Sequence, residues 1–418
     1  MLVTFQTKCL TAWGGVIYYK TGLAQWILEK LNYYAFLKEV TKMLTRELRT
    51  RQECEDFVRG CTIMGTGGGG NPARGFDKLT RALHEGLRIG WTDAKQIPDD
   101  AWVVCPFLMG SIAPKTSAGL AEIKDLGLTK VRYPNTIMTA IQELEIYTGK
   151  KIGAVIPGEL GGANTPEPVA QAARLSIPCI DGDYAGRAIP EITQMIPVLF
   201  NKPLAPLTSV DEWGNISIIK TAINEPMAER IGKFLAVAAH GLAGMAGVLL
   251  SGKECKEIAV TGTLSLCLKL GQTVQEARNR GIDVPVATAE AMAGWIIFKG
   301  KVTAKEWEDR VGYYWGTHTL TGIEEFSGQT FKVWFKNENH ISWLNNKPFV
   351  MSPDLICMVD RETGEPKTND AVAEGDVMAV LGAQAPEPFL TQPKGLEVLG
   401  PKHFGFDYPF VPIQKLIG

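Results

Sequence analysis

Glu159, Asp181, Asp183 and Glu191 stand close together in the chain, with Arg187 among them. Neighbouring carboxylates push their pKa values apart, which leaves one as a base and one as an acid at the same pH. Taken singly, each acid also fits a helix cap, a turn or a surface charge. Two features favour chemistry: these acids adjoin loops unusually rich in glycine, and they follow segments that read as buried strands. Arg187 suits either a fork for a substrate carboxylate or an ion pair with Asp183. Asn164 suits either a ligand amide or the support of a helix start.

The loops that must position these groups carry their own signal. Thr66, Gly67, Gly68, Gly69, Gly70 and Asn71 form one of them. Consecutive glycines are costly to order, because glycine loses the most backbone freedom on folding. Asn71 is a good N-cap and Pro72 fits the first helical position. Bare backbone running into a helix N-terminus offers amides to an anion, and the alternative is a tight turn that only lets two elements pack. The loop ends Gly-Asn-Pro rather than Gly-Lys-Ser/Thr, and no ribose-binding acid follows it. A small anion such as a carboxylate is therefore expected before ATP or NAD. The device recurs at Pro157 to Pro166, where glycines lead to a polar cap, Thr165, and then proline.

The chain has 418 residues, 45% hydrophobic and 21% charged, with Lys+Arg 43 against Asp+Glu 45. No excess charge exists to attract nucleic acid or an anionic membrane. Eight cysteines form no Cys-x-x-Cys pair, and those at 61, 105, 179 and 267 lie in apolar runs. They read as reduced core thiols of a cytoplasmic protein. The five histidines are His84, His240, His318, His340 and His403, with none at i, i+4. A metal would need scattered ligands or carboxylates. Residues 1–42 read as an N-terminal extension. A capping box at Thr50 to Glu53 opens a helix that Gly60 should stop. Strands are expected at 101–108 and 152–156, with a helix at 134–147 between them. This βαβ grammar places ligands beyond the strand ends. The apolar stretch 234–252 is expected as a buried helix carrying His240 as a core histidine. Thr261 to Ser265 reads as an anion-binding turn or a helix cap. A strand is expected at 258–260, and strands from about 295 make the end of the chain β-rich. The turn at Asp211 to Asn215 divides an α/β domain, 43–212, from an α+β, β-rich domain, 213–418.

The segments Gly65 to Pro72, Glu159 to Asn164 and Asp181 to Glu191 together resemble the signature of the S-methyl thiohydantoin desulfurase family. The similarity runs from about Met43 to the C-terminus and includes Ser352 to Ile356 and Gly405 to Tyr408. Tyr184 and Ala185 depart from the family pattern, which bears on pocket shape. The resemblance implies two domains and an enzyme that replaces ring sulfur with oxygen from water. It also implies a small-molecule substrate and a hydantoinase-like partner, and a homo-oligomer suits the β-rich second half. Asp183 or Glu159 is expected as the base, or as ligand to a metal such as zinc that activates the water. The glycine loop would supply amides and Arg187 would hold a substrate carboxylate. Two other readings remain: a hydrolase of hydantoin or lactam rings, and a non-catalytic anion-binding subunit.

Overall fold

The structure, a computed structural model, describes residues 44–114 and 116–417. The expected extension over residues 1–42 lies outside the described residues. Thr50 caps helix α1 (Arg51–Met64), and the Glu53 side chain reaches back to the Thr50 amide, as the sequence predicts. Gly60 does not stop this helix. A Cβ there would overlap the Cys267 carbonyl, so Gly60 instead lets a later helix press against α1. Beyond the glycine loop, Asn71 accepts the Ala73 amide and opens α2 (Pro72–His84).

The first sheet is built from β1 (Trp102–Gly110), α3 (Thr136–Thr148) and β2 (Ile152–Val155), the two strands being parallel. Helix α4 (Pro166–Leu175) follows the second glycine loop, and Cys179 returns as a parallel bridge to Val155. β3 (Leu207–Asp211) and β4 (Ile216–Ile219) form a hairpin whose turn is held by Asp211, which accepts the amides of Trp213, Gly214 and Asn215.

The apolar stretch 234–252 is not one helix. Helix α5 (Glu225–Ala238) takes its first five residues, the chain turns at His240 (φ 53), and β5 (Leu242–Ser251) follows. β5 lies between β1 and β3, antiparallel to both, in the order β2-β1-β5-β3-β4. Its small residues serve close approach: a Cβ at Gly244 would sit 2.5 Å from the Thr136 hydroxyl. The strand expected at 258–260 is a helix over Gly252–Ile258 followed by the pair Val260–Thr261, which ladders with Gly182–Asp183. Helix α6 (Thr263–Arg280) then packs on α1 through Gly60 and Gly271.

The β-rich part is one antiparallel sheet. It comprises β6 (Trp295–Arg310), β7 (Tyr313–Gly322), β8 (Thr330–Lys336), β9 (Glu338–Leu344), β10 (Lys347–Met351), β11 (Leu355–Asp360) and β12 (Val377–Ala383), in the order β10-β9-β8-β7-β6-β12-β11. Phe298, Leu320, Phe331 and Val380 fill its core. The fold is thus α/β with a β-rich end, as expected. Among the described residues no helix is long and apolar enough to cross a membrane. The seven described cysteines are buried and unbridged.

Candidate active site

The two glycine loops pack on one another. Gly69 (φ +74) accepts the amides of Ala163 and Asn164, and a Cβ on it would land on Gly161. Gly70 (φ +83) lies against the Ala163 methyl. Both positions need a positive φ and a missing side chain. Two of the glycine amides are committed within the protein: Gly68 donates to Gly65, and Gly69 donates to Glu338 at 3.2 Å. Gly67 accepts from Asn369, and Thr66 (φ 48) accepts the Asn339 amide. The bare backbone of Gly69 and Gly70 serves close contact between the two loops.

Arg187 is fully buried, and its five N–H groups all have acceptors inside the protein. Nε donates to Ala188 O at 3.0 Å, and Nη1 to the carbonyls of Pro353 at 3.2 Å and Asp354 at 3.0 Å. Nη2 donates to Thr66 Oγ1 at 3.1 Å and Asn339 O at 2.9 Å. No donor remains for a substrate carboxylate. Burial lowers the guanidinium pKa to about 10, while Glu338 works to raise it, so it stays charged at neutral pH. Arg187 is a clamp joining both glycine-loop regions to β9 and the turn before β11.

Asp181 also leaves the expected site. Its carboxylate accepts the amides of Leu264 and Ser265, both at 3.0 Å, and so caps α6. The turn Thr261 to Ser265 is therefore a helix cap. Asp183 is fully buried, does not line the cavity described below, and accepts the amides of Ala185 at 2.9 Å and Gly186 at 2.6 Å. Burial pushes its pKa to about 7 against the pull of those two amides.

Glu159, Asn164 and Glu191 do come together. They line a cavity of about 60 Å³ with Gly69, Gly70, Lys233 and Glu338. Glu159 accepts from the Asn164 side-chain amide and, at 2.6 Å, from the Ile189 amide. Asn164 in turn receives the Leu108 amide at 2.9 Å, which fixes it to β1. Burial raises the Glu159 pKa to about 7, opposed by these hydrogen bonds and by Lys233. Thr165 braces the same loop: its hydroxyl donates to Glu159 O and accepts the Gly161 amide.

Glu338, at the start of β9, is a partner that the sequence reading missed. One oxygen accepts the Gly69 amide, and the other is buried without a protein partner. Burial raises its pKa well above the usual carboxylate range, and the nearby Glu159 raises it further. Lys233 of α5 was missed as well. It is 4% exposed, with Nζ 3.4 Å from Gly110 O, 3.7 Å from Glu229 and 4.1 Å over the Tyr313 ring. The signals were slight. Glu338 sits in a polar Asn-Glu-Asn run that reads as a turn, and Lys233 reads as the solvent face of a helix. Glu191 closes the other wall, paired with Lys336 and 3.3 Å from His403 Nε2. Burial alone would raise its pKa, but His403 and Lys336 together hold it at about 2.

Among the described residues no group of three or more His, Cys, Asp and Glu is arranged to hold a metal ion. Gly70, Gly110, Ile112 and Leu242 line both this cavity and an adjoining chamber of about 570 Å³. Asn71 and His240 stand on the wall of this chamber, and His240 Nδ1 is 3.9 Å from Glu122.

An α/β frame with buried acid and base groups around one small cavity defines an enzyme-type site. The chain belongs to the S-Me-THD-like family: residues 52–221 match its N-terminal domain and residues 223–413 its C-terminal domain. The family name points to an enzyme of thiohydantoin chemistry. A crystal structure of a protein from Chromobacterium violaceum shares the fold, with a TM-score of 0.69 and 20% identity over 88% of this chain and 100% of that one. No functionally curated protein matches the chain. The cavity takes Glu159 and Glu191 from the first matched domain and Lys233 and Glu338 from the second.

Proposed function

We propose that the protein is a hydrolytic desulfurase of S-methyl thiohydantoin-type rings, releasing methanethiol and leaving a hydantoin. The observation that carries this reading is the pair of buried carboxyls, Glu159 and Glu338, lining one ring-sized cavity with the Lys233 ammonium. Glu338, held protonated, donates its proton to the ring nitrogen next to the sulfur-bearing carbon. Glu159, when ionised, takes a proton from the attacking water. The C–O bond forms and a tetrahedral carbon results. Its hydroxyl proton returns to Glu338 as the C=O forms and the C–S bond breaks. The departing methanethiolate takes the proton held by Glu159, which restores both carboxyls. Lys233 stabilises the negative charge that develops during these steps. No step passes through a metal.

The test is incubation of the purified chain with an S-methyl thiohydantoin, following free thiol and ring opening together. Thiol release with an intact ring, rising with pH through about 7 as Glu159 ionises, supports the reading. Glu338→Gln should lower kcat by about 10²–10⁴-fold with the fold kept. Ring opening with sulfur retained would instead make the protein a cyclic-amide hydrolase. Tight hydantoin binding without turnover would make it a binding subunit.

A further inference from the structure

The catalytic cavity and the chamber outside it differ about tenfold in size, and that difference constrains the substrate. A volume of about 60 Å³ gives room for about five water-sized groups. That suffices for a five-membered ring and excludes a side chain attached to it. The chamber of about 570 Å³ adjoins the cavity, and the two share Gly70, Gly110, Ile112 and Leu242. Two of these four shared residues are glycines. A Cβ on Gly110 would fall 2.5 Å from the Gly241 carbonyl oxygen and 2.6 Å from the Leu242 side chain. Gly110 therefore packs against the Gly241 backbone and adds no side chain to the wall that the two spaces share. Elsewhere the chamber wall carries aliphatic groups, among them Ile123, Val237 and Val311, of which Val237 and Val311 are 43% and 55% exposed. Exposed aliphatic groups gathered around a concave space gain from being covered.

We infer that the outer chamber is a subsite for the substituent of the ring, so that the physiological substrate is a thiohydantoin carrying a sizeable, largely apolar side chain rather than the bare ring. The inference rests on the reading of the inner cavity given above. The ring enters with its sulfur-bearing carbon toward Glu159 and Glu338, and its side chain stays in the chamber.

A series of S-methyl thiohydantoins bearing hydrogen, methyl, isobutyl or benzyl on the ring carbon tests this. Each methylene covered by the chamber should raise kcat/KM by about fourfold, mainly through KM. Val237→Trp, which fills the chamber from an exposed helix position, should flatten the series while keeping the unsubstituted ring within twofold. Val237→Ala, which preserves the fold, should shift the optimum toward benzyl. A series that is flat in the wild type, or a Trp variant that depresses all members equally, overturns the inference. Calorimetric binding of the corresponding hydantoins reads the chamber separately from the chemistry. If no compound is turned over, the desulfurase reading fails, and the subsite stands or falls on whether affinity rises with the side chain and loses that rise in Val237→Trp.

Discussion

Arg187→Lys separates a clamp from a substrate fork. The five acceptors around the guanidinium are four backbone carbonyls and the Thr66 hydroxyl. An ammonium has three donors, so at least two acceptors are left unsatisfied in a site that is fully buried. Hydrogen bonds to a charged group contribute about 1.5–3 kcal/mol each. The expected loss is therefore about 3 kcal/mol or more. It should be read in urea as a lower midpoint at unchanged slope, by far-ultraviolet circular dichroism and by tryptophan fluorescence. The fraction that remains folded should keep a KM close to wild type, because the guanidinium presents no N–H to the cavity. An unchanged midpoint together with a KM raised tenfold would refute the clamp and restore the fork.

Two further outcomes follow from the buried groups and the loops. Asp183 has its pKa raised from 3.8 to about 7 by burial, so the folded state binds the extra proton between those values. Its contribution is fully present below about pH 4 and is lost as pH rises through about 7. Asp183→Asn keeps an acceptor for the two amides, so it should match wild type at pH 4 and exceed it by about 2–4 kcal/mol at pH 8. Thiol-release activity should survive, because Asp183 does not line the cavity; a variant that is folded and inactive would return Asp183 to the candidate catalytic set. Gly69→Ala should be severe, since φ is +74 and the new Cβ would meet Gly161. Loss of both soluble yield and activity is expected, whereas a variant with wild-type melting and turnover would show that the two loops can part without harm.

Much of the frame was legible because its signals are local. The capping box at Thr50, Asn71 before Pro72, and Thr165 before Pro166 all mark true helix starts. The site was half legible. Glu159, Asn164 and Glu191 reach the cavity, whereas Asp181 and Arg187 turn to hydrogen-bond partners far along the chain. A single sequence does not show that Arg187 meets carbonyls at 353 and 354, so its charge read as a ligand site. Lys233 and Glu338 were invisible for the converse reason. Each follows the pattern of a solvent-facing position, and only the folding of α5 and β9 over the glycine loops buries them. The strand β5 was hidden by its small residues, which suit a tightly packed helix as well as a strand.

The place of β5 in the first sheet bears on how the chain is made. β1 and β2 emerge early from the ribosome, and β3 and β4 follow. Yet β1 and β3 gain their shared neighbour only after Ser251 has been synthesised. Until then two strands that end up buried have open edges, so the first matched domain cannot finish folding during its own translation. Gly69 waits longer still for its carboxylate partner, which lies on β9. Synthesis therefore completes the sheet before the buried carboxyl pair, and a nascent chain stalled between the two would hold a formed frame without Glu338.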